Sequence, residues 1–151
     1  SARNGGFSVA PDPLLVLPPI TSPGYDYRVV NVEVQKQLPG SLLNWHRRML
    51  TCRRLLPALK KGEFQIIETN HPSVLAFVRF TEAMTVLVAA NLSAAGASLK
   101  LDLTPWKGAR TREVLWGCEY PEADKNWFVY LSSYGFNWWL IGEVDSEELT
   151  P

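Results

Sequence analysis

The acidic side chains of the amino-terminal part are the first candidates for chemistry, and they are few. Asp12, Asp26 and Glu33 are the only acids before residue 60. Cleavage of a glycosidic bond uses two facing carboxylates, and nothing in the spacing of these three acids indicates such a pair. His46 and His71 have no nucleophile beside them in the sequence, so we predict surface or structural roles for both. The sequence therefore shows no recognisable catalytic centre of its own.

Cysteine spacing and short motifs add no further reactive group. Cys52 and Cys118 form neither a CxxC pair nor a His-flanked set, which favours buried free thiols over a disulfide or a zinc site. The stretch Asn91-Leu92-Ser93 matches the glycosylation acceptor pattern, which matters only in a secreted eukaryotic chain. We accordingly expect no metal and no cofactor in this chain.

Composition limits the size of the fold and the kind of partner. The chain has 151 residues, of which 46% are hydrophobic, so it can bury one core. Fifteen basic and fifteen acidic residues cancel, and such a balance gives no field that would attract nucleic acid or an anionic membrane. We expect a neutral partner. No apolar stretch reaches the roughly 20 residues that span a bilayer, and no signal-peptide pattern opens the chain, so we predict a cytoplasmic parent protein.

One helix, residues 41–59, must position whatever precedes it. Ser41 is the predicted N-cap, Pro57 should end or kink the helix, and Gly62 should provide a left-handed exit. Its apolar stripe follows a spacing of three or four residues and comprises Leu42, Trp45, Met49, Cys52 and Leu56.

The same helix is strongly basic. Six positive charges and no acid lie between Ser41 and Gly62, namely Arg47, Arg48, Arg53, Arg54, Lys60 and Lys61. Such a run can bind nucleic acid, but no aromatic stacking residues alternate with these charges. A solvent-exposed outer helix face is therefore the favoured interpretation.

The regions before and after the helix differ in proline content and in hydrophobic period. Residues 1–40 contain six prolines and are predicted to form ordered loop with short turns. Beyond the helix the hydrophobic period becomes extended, with turn residues between short runs, which predicts an antiparallel β-sandwich. The predicted strands are Phe64–Glu68, Val74–Phe80, Thr85–Asn91, Ser98–Leu103, Thr111–Leu115, Trp127–Leu131 and Phe136–Gly142.

Aromatic residues in the last strand admit two interpretations. Phe136, Trp138 and Leu140 should point to one face, and Asn137 and Trp139 to the other. An exposed set could stack against sugar rings, whereas a packed set would belong to the core. Packing is the favoured interpretation, and we extend it to Trp106, Trp116 and Trp127. The unbroken apolar run Val86–Ala90 indicates a central strand covered on both faces.

A resemblance to a known family adds what the hydrophobic and turn patterns do not show. It begins with the opening residues Arg3-Asn4-Gly5-Gly6-Phe7-Ser8. The resemblance extends to four further segments and to the helix Ser41–Arg54. The segments are Tyr25-Asp26-Tyr27, Val30-Asn31-Val32-Glu33-Val34-Gln35, Ala90-Asn91-Leu92-Ser93 and Tyr134-Gly135-Phe136. In this order they resemble the end of a trehalose synthase. That family belongs to the α-amylase group of glycoside hydrolases. The resemblance implies that residues 1–62 close a catalytic (β/α)8 barrel, 63–143 form the C-terminal sandwich, and 144–151 are an acidic tail or linker.

What the resemblance implies about function concerns a longer parent protein. Its catalytic carboxylates would lie upstream of Ser1, so this chain alone is expected to be inactive. Arg3 and Asn4 would offer donors to sugar hydroxyls or orient a carboxylate, and Phe7 would wall off the site or plug the barrel rim. The substrate would be a small sugar, maltose or trehalose, with no nucleic acid and no membrane involved. A structural calcium would belong to the barrel, and a fused maltokinase would suit the acidic end.

Two alternatives stay open from the sequence. The parent could be an oligo-α-glucosidase or sucrose isomerase of the same group, sharing the loop and the sandwich but differing in product. The chain could instead be a non-catalytic sandwich that binds glucan or serves as a scaffold. Exposed, coplanar tryptophans would favour glucan binding, and buried ones would favour the scaffold.

Overall fold

A computed structural model describes residues 2–142. The chain divides into two compact units, Ser1–Met49 and Leu50–Pro151, and the boundary falls inside the second α-helix. The predicted acidic tail, residues 144–151, lies outside the described residues.

The first unit consists of turns and short helices, as its proline content predicts. Two 3-10 helices, Arg3–Gly6 and Asp12–Leu14, precede helix α1 at Val32–Gln37. The sequence predicts only loop at α1, so this helix is a correction. Its cause is local, because the Asn31 side-chain oxygen caps the first turn by accepting from the backbone N–H of Val34 at 2.9 Å.

The basic helix forms as predicted but is split. Helix α2 spans Leu42–Leu55 and helix α3 spans Pro57–Lys61. Ser41 caps α2, since its Oγ accepts from the Asn44 N–H at 3.2 Å. Pro57 starts a new helix because proline has no N–H to donate backwards, and the break is confirmed. Five of the six basic residues are exposed, which agrees with a solvent-exposed face.

Gly62 differs from expectation. Its φ of −68° and ψ of 160° are extended and not left-handed, because the chain passes directly into the first strand. The glycine is required for another reason. A Cβ here would lie 2.5 Å from the Ala58 carbonyl oxygen and 2.7 Å from that of Phe80, distances that no side chain tolerates.

Among the described residues, the second unit has eight antiparallel strands in two sheets. The larger sheet has the order β1-β2-β3-β8-β5-β6, and β4 pairs with β7 in the smaller one. The strands are β1 Glu63–Ile67, β2 Val74–Phe80, β3 Thr85–Asn91, β4 Ala97–Leu101, β5 Thr111–Glu113, β6 Glu119–Tyr120, β7 Trp127–Leu131 and β8 Phe136–Ile141. The predicted antiparallel sandwich is confirmed. Only the two-residue β6 is missing from the sequence prediction, since so short a strand has no readable alternation.

The main core lies between the two sheets. Alternate residues of the larger sheet, such as Val78, Leu87 and Trp139, meet Leu99 and Trp127 of the smaller one. Val86–Ala90 is covered on both faces as predicted, because its other side chains join a second cluster. That cluster places Leu56 and Ala58, around the start of α3, over Val86, Val88 and Leu140.

The tryptophans follow the packing prediction with one exception. Trp127 and Trp139 are buried, with ring centroids 5.1 Å apart in an edge-to-face arrangement. Trp106 and Trp138 pack against the two clusters. Trp116 is 64% exposed, so the prediction that it packs against the core is wrong. It lies in the turn after β5, where Glu113 binds its backbone N–H and leaves the indole outside.

Two polar side chains are buried where strands end. Asn91 and Glu113 are each only 2% exposed. The Glu113 carboxylate accepts from the backbone N–H groups of Leu115 and Trp116, and thereby holds the turn after β5. Asn91 binds backbone groups of two loops, so the glycosylation pattern at this position is a structural motif.

Both cysteines are free as predicted, but Cys118 is exposed and Cys52 is partly exposed, which corrects their predicted burial.

Candidate functional site

The candidate site is the turn that opens the chain, and its backbone explains its sequence. Asn4, Gly5 and Gly6 all adopt positive φ angles, of 53°, 65° and 84°. Only glycine adopts this region freely, and asparagine tolerates it better than other residues. The Asn-Gly-Gly run is therefore what allows the chain to reverse at this point.

Asn4 fixes this turn from inside. It is 5% exposed, and its side-chain amide donates to the carbonyl oxygens of Ser8 at 3.0 Å and Ala10 at 2.9 Å. Both amide hydrogens are thereby used within the loop. The hydrogen bonds of Asn4 in this structure orient the residues around it.

Arg3 and Phe7 are presented outward by the same turn. The guanidinium of Arg3 lies 3.9 Å from a carboxylate oxygen of Asp12, and both side chains are largely exposed. Phe7 is 98% exposed. The turn thus exposes one cation and one aromatic ring, four positions apart in the sequence.

Two open cavities of the first unit border this turn. The larger holds about 820 Å³ and the smaller about 430 Å³, and both are lined by Gly5, Phe7, Tyr27 and Val30 among others. Asn31, Glu33 and Gln35 add polar groups to the larger one. Aromatic rings beside amide and carboxylate groups suit a ligand that has apolar faces and hydroxyl edges.

Some of these polar groups already have partners. The Asn31 amide donates to the carbonyl oxygens of Tyr27 and Arg28 at 3.1 and 3.2 Å. The Gln35 side-chain oxygen accepts from the Leu43 N–H at 3.0 Å. These side chains hold the cavity walls in position.

Tyr27 is a lining residue that sequence reasoning did not single out. A Cβ added to Gly5 would lie 3.7 Å from a ring carbon of Tyr27, so the turn and this ring are in contact. The only sequence signal was the match of Tyr25-Asp26-Tyr27 to the family pattern. That motif marks position along the chain but not which ring turns towards the opening loop.

Asp26 and Arg28 close the turn next to Tyr27. The Arg28 guanidinium donates to both carboxylate oxygens of Asp26, the shortest bond being 2.7 Å, and the Arg28 N–H donates at 2.8 Å. The side-chain hydrogen bond and then the backbone one lower the pKa of Asp26 below its ordinary 3.8. The side-chain hydrogen bond and the negative charge of Asp26 raise the pKa of Arg28.

We expect an NMR titration to place the pKa of the Asp26 carboxyl below 3.8, and Arg28→Ala to raise it towards that value. Because the folded pKa is lowered, the contribution of this pair to stability is present above pH 3.8 and is lost as the pH falls through the folded pKa. Arg47→Ala, on exposed α2, is the matched control. An unchanged Asp26 titration in Arg28→Ala would contradict the assigned cause.

The described residues contain neither a metal-binding group of side chains nor a membrane-spanning helix. Within residues 2–142, no three or more His, Cys, Asp or Glu side chains are grouped so that they could hold a metal ion. No helix in that range is long and apolar enough to cross a membrane.

Comparison with known proteins gives a consistent result. Residues 64–138 match the family described as maltogenic amylase, C-terminal domain. The trehalose synthase/amylase of Mycobacterium tuberculosis is 40% identical over 143 residues, which cover 92% of this chain and 24% of that protein. The trehalose synthase of Pimelobacter sp. is 36% identical over 149 residues, covering 95% of this chain and 26% of the relative.

Solved structures support the fold. The trehalulose synthase MutB from Pseudomonas mesoacidophila superimposes with a TM-score of 0.60 at 22% identity, covering 76% of this chain and 20% of that one. The chain thus spans about a quarter of the length of the curated relatives it matches. From these matches and the sandwich described above, the chain belongs to the trehalose synthase family within the α-amylase group of glycoside hydrolases and corresponds to its C-terminal region.

Proposed function

We propose that the complete protein is a trehalose synthase that isomerises maltose to trehalose, and that this chain supplies the end of its barrel and its C-terminal sandwich. One observation carries the proposal. Trehalose synthases match 92–95% of the chain at 36–40% identity, whereas an oligo-1,6-glucosidase of Heyndrickxia coagulans matches 54% of it at 27%. The trehalose synthase match therefore reaches beyond the sandwich and includes the basic helix.

The proposed reaction is an intramolecular transglucosylation. A carboxylic acid protonates the glycosidic oxygen of maltose while a carboxylate attacks the anomeric carbon, so the glycosidic bond breaks and a glucosyl ester forms. The released glucose stays, reorients and attacks the ester through its own anomeric hydroxyl. The ester bond breaks, an α,α-1,1 linkage forms, the attacking carboxylate is restored, and the hydroxyl proton passes to the other carboxylate, which becomes the acid again. Both carboxylates come from residues outside these 151, so the chain by itself is inactive.

The proposed part of this chain is to retain glucose between the two steps. Water that reaches the glucosyl ester releases glucose, so exclusion of water decides between isomerisation and hydrolysis. Phe7 supplies a bare aromatic ring at the site edge, and Arg3 a cation able to donate to hydroxyls. Asn4 positions both through its two hydrogen bonds inside the turn.

We expect Phe7→Ala in the complete protein to raise severalfold the glucose released per trehalose formed, because the ring no longer shields the ester from water. Product ratios from maltose, measured by chromatography, provide the test. Val9→Ala is the matched control, since Val9 is 90% exposed in the same segment but lines neither cavity. An unchanged ratio would remove Phe7 from this role.

A second candidate is a sucrose isomerase, favoured by one observation. Structures named as trehalulose synthase and isomaltulose synthase share the fold over 76% of the chain. Incubating the complete protein with maltose and, separately, with sucrose distinguishes the two. Trehalose from maltose supports the first candidate, and a sucrose isomer without trehalose supports the second.

The remaining features of the complete protein follow from the same proposal. Its partner is the neutral sugar, with no nucleic acid and no membrane, and its compartment is the cytoplasm. A structural calcium belongs to the barrel and a maltokinase domain is a candidate fusion.

A further inference from the structure

The outer face of the smaller sheet carries two exposed aromatic rings. Burial alternates along both β4 and β7, so that every second side chain enters the core and the others point outward. The outward residues of β7 are Phe128 and Tyr130, which are 65% and 64% exposed. A strand face that meets water is ordinarily polar, and neither ring belongs to the buried clusters. Two aromatic rings at successive outward positions therefore indicate a binding surface.

The Tyr130 ring is positioned by the turn that precedes β4. A Cβ added to Gly96 would lie 2.7 Å from the Cζ atom of Tyr130 and 3.0 Å from its Cε2 atom. The hydroxyl end of the ring therefore lies directly against the Gly96 backbone, in space that only glycine leaves open. The ring rests on the turn, and 64% of the residue stays accessible to a partner.

Polar side chains of β4 lie beside the two rings. Ser98 pairs with Tyr130 and Lys100 pairs with Phe128, so the four residues share the outer face. Ser98 and Lys100 are both exposed. The Ser98 hydroxyl can donate and accept hydrogen bonds, and the Lys100 ammonium donates only. These four side chains, here named the outer platform, combine an aromatic row with a row of hydrogen-bonding groups.

An acidic group accompanies the lysine. Asp102 is the next outward position after Lys100 and is exposed. Hydrogen bonds from the Thr104 hydroxyl and then from the Thr104 N–H lower the pKa of Asp102, and the positive charges of Lys125 and Lys100 add to the shift. The carboxylate is therefore ionised at neutral pH. An opposite charge near Lys100 favours a neutral ligand over an anionic one.

We propose that the outer platform binds an α-1,4-glucan chain, with Phe128 and Tyr130 stacked on its sugar rings and with Ser98 and Lys100 hydrogen-bonded to its hydroxyl groups. A pyranose ring has apolar C–H faces and a rim of hydroxyls, which matches an aromatic row beside a polar row. Positions two apart on a strand are about 7 Å apart, so the two rings meet successive parts of one chain. The choice of α-1,4-glucan rests on the proposed function, because maltose is the shortest chain with that linkage.

Other occupants fit the outer platform less well. A stable protein interface buries about 800 Å² on each partner, whereas two aromatic rings supply at most about 500 Å². A second copy of this chain would add only the same two rings. A membrane surface attracts clusters of cations, whereas Lys100 has an acid nearby.

Affinity electrophoresis of the complete protein in native gels that contain amylopectin tests the platform. We expect the wild-type protein to be retarded, and Phe128→Ala/Tyr130→Ala to weaken the retardation about tenfold, since both stacking surfaces are lost. Trp116→Ala is the matched control, because it removes a similarly exposed ring from the turn after β5. Soluble β-cyclodextrin, a cyclic α-1,4-glucan without chain ends, should abolish the wild-type retardation. A wild-type protein that is not retarded, or equal retardation of the double variant, would overturn the proposal.

Two single substitutions separate stacking from folding. Tyr130→Phe keeps the ring and should retain most of the retardation, whereas Gly96→Ala displaces the ring and should weaken the retardation severalfold. Thermal unfolding followed by far-UV circular dichroism checks that each variant is folded. Retardation lost equally in Tyr130→Phe and Tyr130→Ala would contradict stacking. A sedimentation coefficient that falls in the double variant would assign the platform to a second copy instead.

Maltose conversion is measured on the same preparation of the wild-type protein. Retardation without trehalose formation would contradict the proposed function and support a glucan-binding platform. Trehalose formation without retardation would contradict the platform alone, so the two failures are distinguished.

Discussion

Trp139→Ala should lower the free energy of unfolding by about 3–5 kcal/mol, the range for truncating a large buried aromatic. Trp139 is fully buried and lies edge-to-face with both Trp127 and Tyr120. Removing the indole leaves a cavity between the two sheets that rigid strands cannot collapse to fill. Urea unfolding followed by far-UV circular dichroism measures the change without relying on tryptophan fluorescence.

Phenylalanine substitutions sharpen this prediction. The Trp127 indole N–H donates to the Pro121 carbonyl oxygen at 2.9 Å, whereas that of Trp139 has no partner among the described residues. Trp127→Phe should therefore cost more than Trp139→Phe, by about the 0.5–1.5 kcal/mol of one lost hydrogen bond, because the Pro121 carbonyl oxygen still accepts from the Thr111 hydroxyl. Trp116→Ala, at an exposed indole, is the control and should change little. The reverse order of the two phenylalanine variants would contradict this account.

Asn91→Ala should cost about 2–4 kcal/mol, because one buried side chain loses three hydrogen bonds to the backbone at once. The Asn91 amide donates to the carbonyl oxygens of Ala95 at 2.6 Å and Ser132 at 2.9 Å. Its side-chain oxygen accepts from the Ser93 N–H at 3.1 Å. One side chain thus ties the β3–β4 turn to the loop after β7.

Two further variants test the origin of this effect. Asn91→Asp keeps the shape but exchanges the two donors for acceptors, so it should destabilise at least as much as alanine at neutral pH. Asn70→Ala is the matched control, since Asn70 is exposed and binds the open edge of β4. It should cost less than about 1 kcal/mol, the usual range for a surface position. A cost at Asn70 equal to that at Asn91 would contradict the role assigned to burial.

Local patterns were enough to predict the strands. The bounds of β2, β3 and β7 agree with the prediction at both ends, because alternation and turn residues are properties of the sequence itself. The break at Pro57 and the cap at Ser41 were predicted for the same reason. The polar pattern Asn91-Leu92-Ser93 was visible too, but its meaning depends on carbonyl groups that are distant in sequence.

In the candidate site too, some features could be predicted from the sequence and others depend on the folded loop. The resemblance marked Arg3, Asn4 and Phe7 as candidate site residues, and the positive φ angles of Asn4, Gly5 and Gly6 show how the chain reverses between them. Two other features depend on how the loop folds back on itself. The Asn4 amide donates to the carbonyl oxygens of Ser8 and Ala10, and Tyr27 contacts the turn. Loop closure of this kind leaves no periodic signal.

The sequence by itself determined the antiparallel sandwich, the broken basic helix and, through linked motifs, the family. Tertiary structure alone decided that Gly62 is required by the Ala58 and Phe80 carbonyls, that Trp116 is exposed, and that the Nε atom of Arg79 is buried with no hydrogen-bond partner among the described residues. The physical reason is the separation along the chain over which each effect acts. Hydrophobic period and turn chemistry act between neighbours in the chain, whereas close approach, burial and orphaned hydrogen-bonding groups arise only when distant strands meet.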